Sequence, residues 1–230
     1  MPFFKNRKIK QWRKLSYSQS GEDLIIRFIF DELQIKKPSY IDVGAHHPFY
    51  LSNTALFYES GSKGINIEPD PLLFKPFTQY RKRDINLNIG IGENKGEADF
   101  YIISSPTLNT FSKQEAENYS SEGDYKIVRV IKTPVNSIAN VIQESNNGVF
   151  PQLLNLDAEG IDELIIRSID YTKSYPLVIC IETISFSTSG NGIKNTEIIN
   201  FILSMGYILY ADTYINSIFV KKDIWHRKVQ

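Results

Sequence analysis

The feature that most restricts this chain is an alternation in its second half. Residues 152–156 form a short apolar run of strand length, and 162–168 carry apolar residues at helical spacing. Residues 177–181 are again an apolar run, and 196–205 are again helical in period, closed by Gly206. Strand, helix, strand, helix in that order requires crossover connections, and these build a mostly parallel sheet with helices on both faces. The first half keeps a looser version of the rhythm. It predicts strands at 39–43, 64–67, 84–91, 97–103 and 127–133, and helices at 53–60 and 135–144, with Gly61, Gly92 and Gly96 as punctuation. Ahead of these, Ser20 with Asp23 has the form of a capping box. Leu24, Ile25, Phe28, Ile29 and Leu33 then predict the core face of a helix that Pro38 stops. At the far end, 207–211 and 217–221 lie too close for a crossover and predict an antiparallel pair.

The 42% hydrophobic content of the 230 residues is enough for one α/β domain. Residues 17–230 are read as that domain. Residues 1–16 hold Lys5, Arg7, Lys8, Lys10, Arg13 and Lys14 and no acid. This arm is either a solvated tail or a docking segment for an anionic surface or a second subunit, anchored by Trp12. Basic and acidic residues balance at 26 each, which argues against a nucleic-acid binder. Cys180 is the single cysteine, so no internal disulfide can form. No apolar run reaches the roughly 18 residues of a membrane span, and the basic N-terminus lacks the apolar stretch of a secretory signal. Together these give a cytoplasmic expectation, with room for a homo-oligomer.

In open parallel sheets, ligands sit beyond the carboxyl ends of the strands, at the point where strand order reverses. That rule selects Asp42, Gly44, His46 and His47 after the first strand, and Glu68, Pro69 and Asp70 after the second. It also selects Asp157 and Glu159 after the 152–156 run, and Glu182 after the run through Cys180. Two long polar stretches, 104–126 and 183–195, read as loops over the same edge.

The turn Gly44-Ala45-His46-His47-Pro48 holds one glycine, a poor cradle for the pyrophosphate of a dinucleotide. S-adenosylmethionine has no phosphate but does have a ribose diol, and an acid at the tip of the second strand can accept both hydroxyls. Glu68 lies about 25 residues beyond the glycine turn, near the ~20 typical of such a site.

The motifs Ser18-Gln19-Ser20-Gly21-Glu22-Asp23, Ile41-Asp42-Val43-Gly44-Ala45-His46, Leu51-Ser52-Asn53-Thr54, Ile67-Glu68-Pro69-Asp70 and Asn155-Leu156-Asp157-Ala158-Glu159-Gly160 occur in this order. In sequence and spacing they resemble the FkbM family of methyltransferases, over nearly the whole chain. The resemblance implies a class I methyltransferase fold: a Rossmann-like, seven-stranded, mostly parallel sheet whose last strand is antiparallel. It implies S-adenosylmethionine as methyl donor and an oxygen acceptor. By the same resemblance, Asp42 and Gly44 shape the methionine pocket, with Gln19, Ser52, Asn53 and Thr54 beside it. Glu68 holds the ribose and Asn88 lies near the adenine. After Gly-Ala, many members continue with Asn. Here His46-His47-Pro48 resembles the branch associated with surface polysaccharides, such as capsule and lipopolysaccharide, which implies a sugar or nucleotide-sugar acceptor.

A sugar hydroxyl is a weak nucleophile, so a base or a Lewis acid assists its methylation. The candidates for base are His46 and His47, with Asp157 as a third catalytic candidate. The Lewis acid would be Mg²⁺ or Mn²⁺ held by Asp157 and Glu182 with Glu159 or a histidine. Against these stand plain structural roles: histidines that cap the next helix, and carboxylates that cap the helix near Ile161. Competing functions are methylation of a polyketide, lipid or other small molecule, a non-catalytic S-adenosylmethionine-binding module, and an NAD-dependent oxidoreductase. The chain lacks both the Asn/Asp-Pro-Pro-Tyr and the Pro-Cys signatures of nucleic-acid methylation.

Overall fold

In the computed structural model, which describes residues 12–122, 124–158, 160–185, 187 and 191–226, the alternating runs assemble into a single seven-stranded sheet. In chain order the elements are α1 (Glu22–Glu32), β1 (Tyr40–Val43), α2 (Ala55–Glu59), β2 (Gly64–Ile67), α3 (Pro71–Tyr80), β3 (Ile85–Leu87), β4 (Gly90–Ile91) and β5 (Gly96–Ile103). A 3₁₀ turn at Pro106–Leu108 follows, then α4 (Lys113–Glu122), β6 (Ile127–Asn136), α5 (Ile138–Asn146), β7 (Leu153–Leu156) and α6 (Asp162–Ser168). The chain continues with β8 (Val178–Glu182), α7 (Thr196–Ser204), β9 (Tyr207–Asp212), β10 (Asn216–Lys221) and α8 (Lys222–His226).

The main sheet has the order β3-β2-β1-β7-β8-β10-β9. Strands β3, β2, β1, β7 and β8 are mutually parallel, and β10 runs antiparallel to both its neighbours. The order reverses between β1 and β7, so the ligand crevice opens beyond their carboxyl ends.

Alternation along each strand feeds two apolar layers. Ile41, Val43, Leu154, Leu156, Ile179 and Ile181 face one side, against Ile138 and Ile142 of α5, Ile165 and Ile166 of α6, and Ile198 and Ile202 of α7. Tyr40, Leu153, Val178 and Cys180 face the other, against Ile26, Ile29 and Phe30 of α1 and Phe57 of α2. Each such aliphatic side chain, fully buried, contributes roughly 1.5–3 kcal/mol, so the helices are held by the sheet rather than by their own short lengths. Cys180 is core, as its apolar neighbours suggest. Among the described residues, no helix is long and apolar enough to cross a membrane.

Several local expectations are corrected. The α1 core face is Ile26, Ile29 and Phe30, while Phe28 is about half exposed. Ser20 does not cap α1: the Ser18 hydroxyl accepts from the Gly21 and Asp23 N–H groups, and Asp23 reaches back to the Tyr17 N–H. Helix α3 has no counterpart in the sequence reading because Pro71 and Pro76 look like breakers. In the structure Pro71 occupies the first turn, where its missing N–H costs nothing, and the Asp70 carboxylate caps Leu72 N. The expected strand 84–91 is two pieces: β3 belongs to the main sheet and β4 to a second sheet of order β4-β6-β5. The stretch 104–126 is no loop; it holds the 3₁₀ turn and α4, whose Ala116 and Tyr119 pack on Ile103. Strand β6 runs on through Asn136, and the helix after it starts only at Ile138, capped by Ser137. Residues 1–11 of the basic arm lie outside the described residues; Trp12 is exposed.

Candidate functional site

One row across the sheet is polar where its surroundings are apolar. Asn86, Asn66, Asp42, Asn155 and Cys180 are register partners on consecutive strands. Asp42 therefore lies inside β1 rather than in the turn that follows it. It is buried, and both of its oxygens are occupied: Thr54 Oγ1 donates to Oδ2 at 2.6 Å, and Asn155 Nδ2 donates to Oδ1 at 2.8 Å. Asn53 Nδ2 in turn donates to Asn155 Oδ1 at 2.9 Å. Burial holds the Asp42 carboxyl above the ordinary aspartate value, against the pull of these two donors.

Past β1 the chain turns at Gly44, whose φ is +75°. A Cβ there would lie 1.8 Å from the Asp157 carbonyl oxygen, so only glycine fits between the exits of β1 and β7. His46, at φ +53°, is the next left-handed residue. Its N–H donates to Glu68 Oε2 at 2.7 Å, and the Asp70 N–H donates to Glu68 Oε1 at 2.8 Å. Glu68 is 4% exposed, and burial pushes its carboxyl up to about 8, against those two amide donors. Each oxygen keeps a further lone pair, and the residue lines the cleft.

That cleft measures about 470 Å³, within the usual range for small-molecule sites. Gln19, Asp42, Gly44, His46, Ser52, Asn53, Glu68, Asp157 and Glu182 all line it, so most of the expected residues come together. Its far wall is built by the second sheet and the segment after it, through Ile91, Phe100, Leu108, Asn109 and Phe111. Asn109 bonds Asp70 Oδ2 at 3.0 Å and joins this wall to α3. Ile184, Ser185, Ser187, Gly192 and Tyr214 form the opposite rim.

Three expected residues are not among those that line the cleft. Thr54 is fully buried under Asp42. Asn88 donates to the carbonyls of Glu68 and Pro69 and pins the exit of β2. His47 Nδ1 accepts from the N–H groups of Phe49 and Tyr50, the capping role of a turn histidine. His46 is half-buried in the cleft wall. Burial, with the neighbouring His47, keeps its imidazole below the ordinary histidine value and so neutral near pH 7.

Asp157 and Glu182 extend neighbouring strands and share a side-chain hydrogen bond. Asp157 is exposed at the cleft, and the desolvation of its carboxyl there holds it above the usual value. Asp162 turns back to accept the Ala158 N–H at 2.9 Å, so it, rather than Asp157, organises the loop before α6. Glu159 lies outside the described residues. Among the described residues no three His, Cys, Asp or Glu side chains are grouped to hold a metal ion. Two carboxylates bonded to each other are a poor frame for the six oxygen ligands Mg²⁺ takes.

Sequence reading missed Arg81 and Asp84. In Arg81-Lys82-Arg83-Asp84 they look like an exposed charged turn, yet both side chains are fully buried and paired at 2.9 Å.

A parallel sheet reversing at β1, with an acid at the tip of β2 facing a cleft beyond the strand ends, is an open α/β fold of the class that binds ligands at the switch point. The methyltransferase FkbM domain family matches residues 42–209. The chain belongs to that family. No curated protein matches it. It is similar to the solved methyltransferase FkbM of Methylobacillus flagellatus KT, at 15% identity and a TM-score of 0.43 over 93% of this chain; the chain spans only 57% of that protein. It is also similar to the 1,6-didemethyltoxoflavin-N1-methyltransferase of Burkholderia thailandensis (8% identity, TM-score 0.44, covering 93% of this chain and 80% of that one). A TehB-like methyltransferase of Corynebacterium glutamicum ATCC 13032 is similar at 11% identity and a TM-score of 0.41, covering 94% and 97% of the two chains.

Proposed function

We propose that this protein transfers the methyl group of S-adenosylmethionine to a hydroxyl of a sugar, free or nucleotide-linked, during assembly of a bacterial surface glycan. The observation that carries the donor assignment is Glu68: a buried carboxylate at the tip of β2, lining the cleft, with lone pairs left after its two amide bonds. A ribose diol offers two hydroxyl donors to such a group. The single-glycine turn at Gly44 suits a ligand without a diphosphate. The acceptor assignment rests on the His46-His47-Pro48 variant of the turn, and it accords with the hydroxyl and amide groups of Ser185, Ser187 and Asn109 around the cleft.

When bound, the donor supplies an electrophilic methyl on a sulfonium. The acceptor oxygen forms the new C–O bond as the C–S bond breaks, and its proton must leave. His46 lines the cleft with a neutral imidazole and takes that proton. Asp157 lies across the cleft floor and orients the hydroxyl. The second sheet, through Ile91, Phe100 and Phe111, walls the cleft with apolar groups that keep bulk water from competing as acceptor.

The test is a methyl-transfer screen with radiolabelled donor against free sugars, glycosides and nucleotide sugars, beside a lipid and a polyketide panel. Label in a sugar product supports the reading. Label found only in lipid or polyketide moves the acceptor class, and calorimetry that detects NADH but no S-adenosylmethionine removes the donor.

A further inference from the structure

A fully buried arginine lies directly beneath the proposed donor site. Arg81 follows the last turn of α3, and its guanidinium is bonded in every direction. Nε donates to Asp84 Oδ2 at 2.9 Å, and one terminal nitrogen donates to the Pro48 carbonyl at 2.8 Å. The other donates to Tyr40 Oη at 2.9 Å and to Thr54 Oγ1 at 3.0 Å. Asp84 also accepts from Tyr40 Oη, Asn66 Nδ2 and the Gly64 N–H, which fixes the pair to β1 and β2. The Tyr58 ring stacks beneath the guanidinium, 4.7 Å from its carbon.

Filling this space does not require a charge. Burying a guanidinium is costly, and an apolar side chain of similar volume avoids the cost. What an arginine does that an apolar residue cannot is dictate where hydrogens point. A guanidinium only donates. The Thr54 hydroxyl must therefore accept from Arg81, and its single proton is directed at Asp42 Oδ2, 2.6 Å away. The same cation holds the carbonyl of Pro48, the residue that closes the His46–Pro48 turn. Both groups it touches act on the cleft from behind.

We infer that Arg81 is a positioning residue for the methyl donor, acting through Thr54 on Asp42 and through Pro48 on the His46 turn. The inference rests on the donor reading proposed above. In that reading Asp42 serves the amino-acid end of the donor and Glu68 its ribose, so loss of the Thr54 relay should weaken recognition of the amino-acid end while sparing the nucleoside end.

The experiment compares two donor-like ligands by calorimetry: S-adenosylhomocysteine, which carries the amino-acid end, and 5′-methylthioadenosine, which lacks it. Thr54→Val keeps the shape and removes the relay. It is expected to weaken S-adenosylhomocysteine about tenfold and methylthioadenosine less than twofold. Thr54→Ser, which restores the hydroxyl, should bring the first affinity back to within twofold of the parent. Arg81→Lys keeps the charge but cannot span Asp84, Pro48 and Thr54 together; combined with Thr54→Val it should lose no more S-adenosylhomocysteine affinity than Arg81→Lys alone. Equal weakening of both ligands, no change in either, or additive losses in the double variant would each overturn the inference. A parent protein that binds neither ligand removes the donor reading itself, and the inference with it.

Discussion

The main-chain N–H of His46 donates to Glu68 Oε2 across 2.7 Å, and that one bond ties the exit of β1 to the exit of β2. The Asp70 N–H occupies the other oxygen at 2.8 Å. Glu68 thus shapes the crevice as well as facing into it. Replacement by alanine removes the acceptor proposed for the ribose and orphans two amide groups. Hydrogen bonds to a charged group contribute about 1.5–3 kcal/mol each, so two lost ribose bonds predict donor binding weaker by at least roughly a hundredfold once Glu68 is ionised. Titration calorimetry on Glu68→Ala reads this directly, and native affinity in that variant would falsify the ribose assignment.

Stability should fall as pH rises through the weakly acidic range. Glu68 titrates at about 8 in the folded chain against an ordinary 4.5, and Asp162 at about 7 against 3.8. Burial is the main cause for both, with the Asp157 charge adding to the second. The folded state therefore binds more protons than the unfolded one over these windows, and a stability contribution present below about pH 4 is lost by pH 8. Differential scanning calorimetry should show the melting temperature descending across that range, and Asp162→Asn should flatten the portion below pH 7. Donor binding should move the other way, tightening as Glu68 ionises near pH 8.

Gly44 tolerates no side chain. Alanine there combines an unfavourable φ of +75° with a Cβ placed 1.8 Å from the Asp157 carbonyl oxygen. Main chain on both sides must move, a loss of at least about 3 kcal/mol. At roughly 2–4 °C per kcal/mol for a chain this long, the melting point drops by about 6–12 °C or more. A melting curve within 2 °C of the parent would contradict the close approach of the β1 and β7 exits.

Turnover should depend on His46 and Asp157. His46→Ala and Asp157→Asn are each expected to lower kcat about a hundredfold, the scale of a positioned proton acceptor, while donor affinity changes little. His47→Ala loses the cap on Phe49 and Tyr50 and should act on stability more than on kcat. Exhaustive treatment with a chelator reads whether the Asp157–Glu182 pair holds an ion: an unchanged rate leaves proton transfer to His46 alone. Loss of activity restored by Mg²⁺ or Mn²⁺ alone would reinstate the ion.

Strand-and-helix alternation needs only short windows of sequence, since burial on two faces of a sheet imposes a local pattern of apolar residues. That is why β1, β2, β7, β8 and the β9–β10 pair are legible, and with them the edge of the sheet where Asp42, Gly44, Glu68, Asp157 and Glu182 gather. Where two influences compete, the local pattern misleads. Pro71 and Pro76 hide α3, whose start is decided by the Asp70 cap. The polar run 113–122 hides α4, because only Ala116 and Tyr119 need to be buried and a two-residue face leaves almost no periodic signal.

The sequence by itself determined the fold class, the switch point and the acids and glycine that surround it, because each follows from the order of apolar runs and the residues directly after them. Tertiary structure alone decided which side chains face the cleft and which support it from behind. Thr54, Asn88 and His47 do not line it, and the side chains of Arg81 and Asp84, which look like ordinary surface charges in the sequence, are buried. A hydrogen bond between residues 27 or 41 positions apart, such as those from Arg81 to Thr54 and Tyr40, has no signature in local spacing. It exists only once the sheet has brought those segments together.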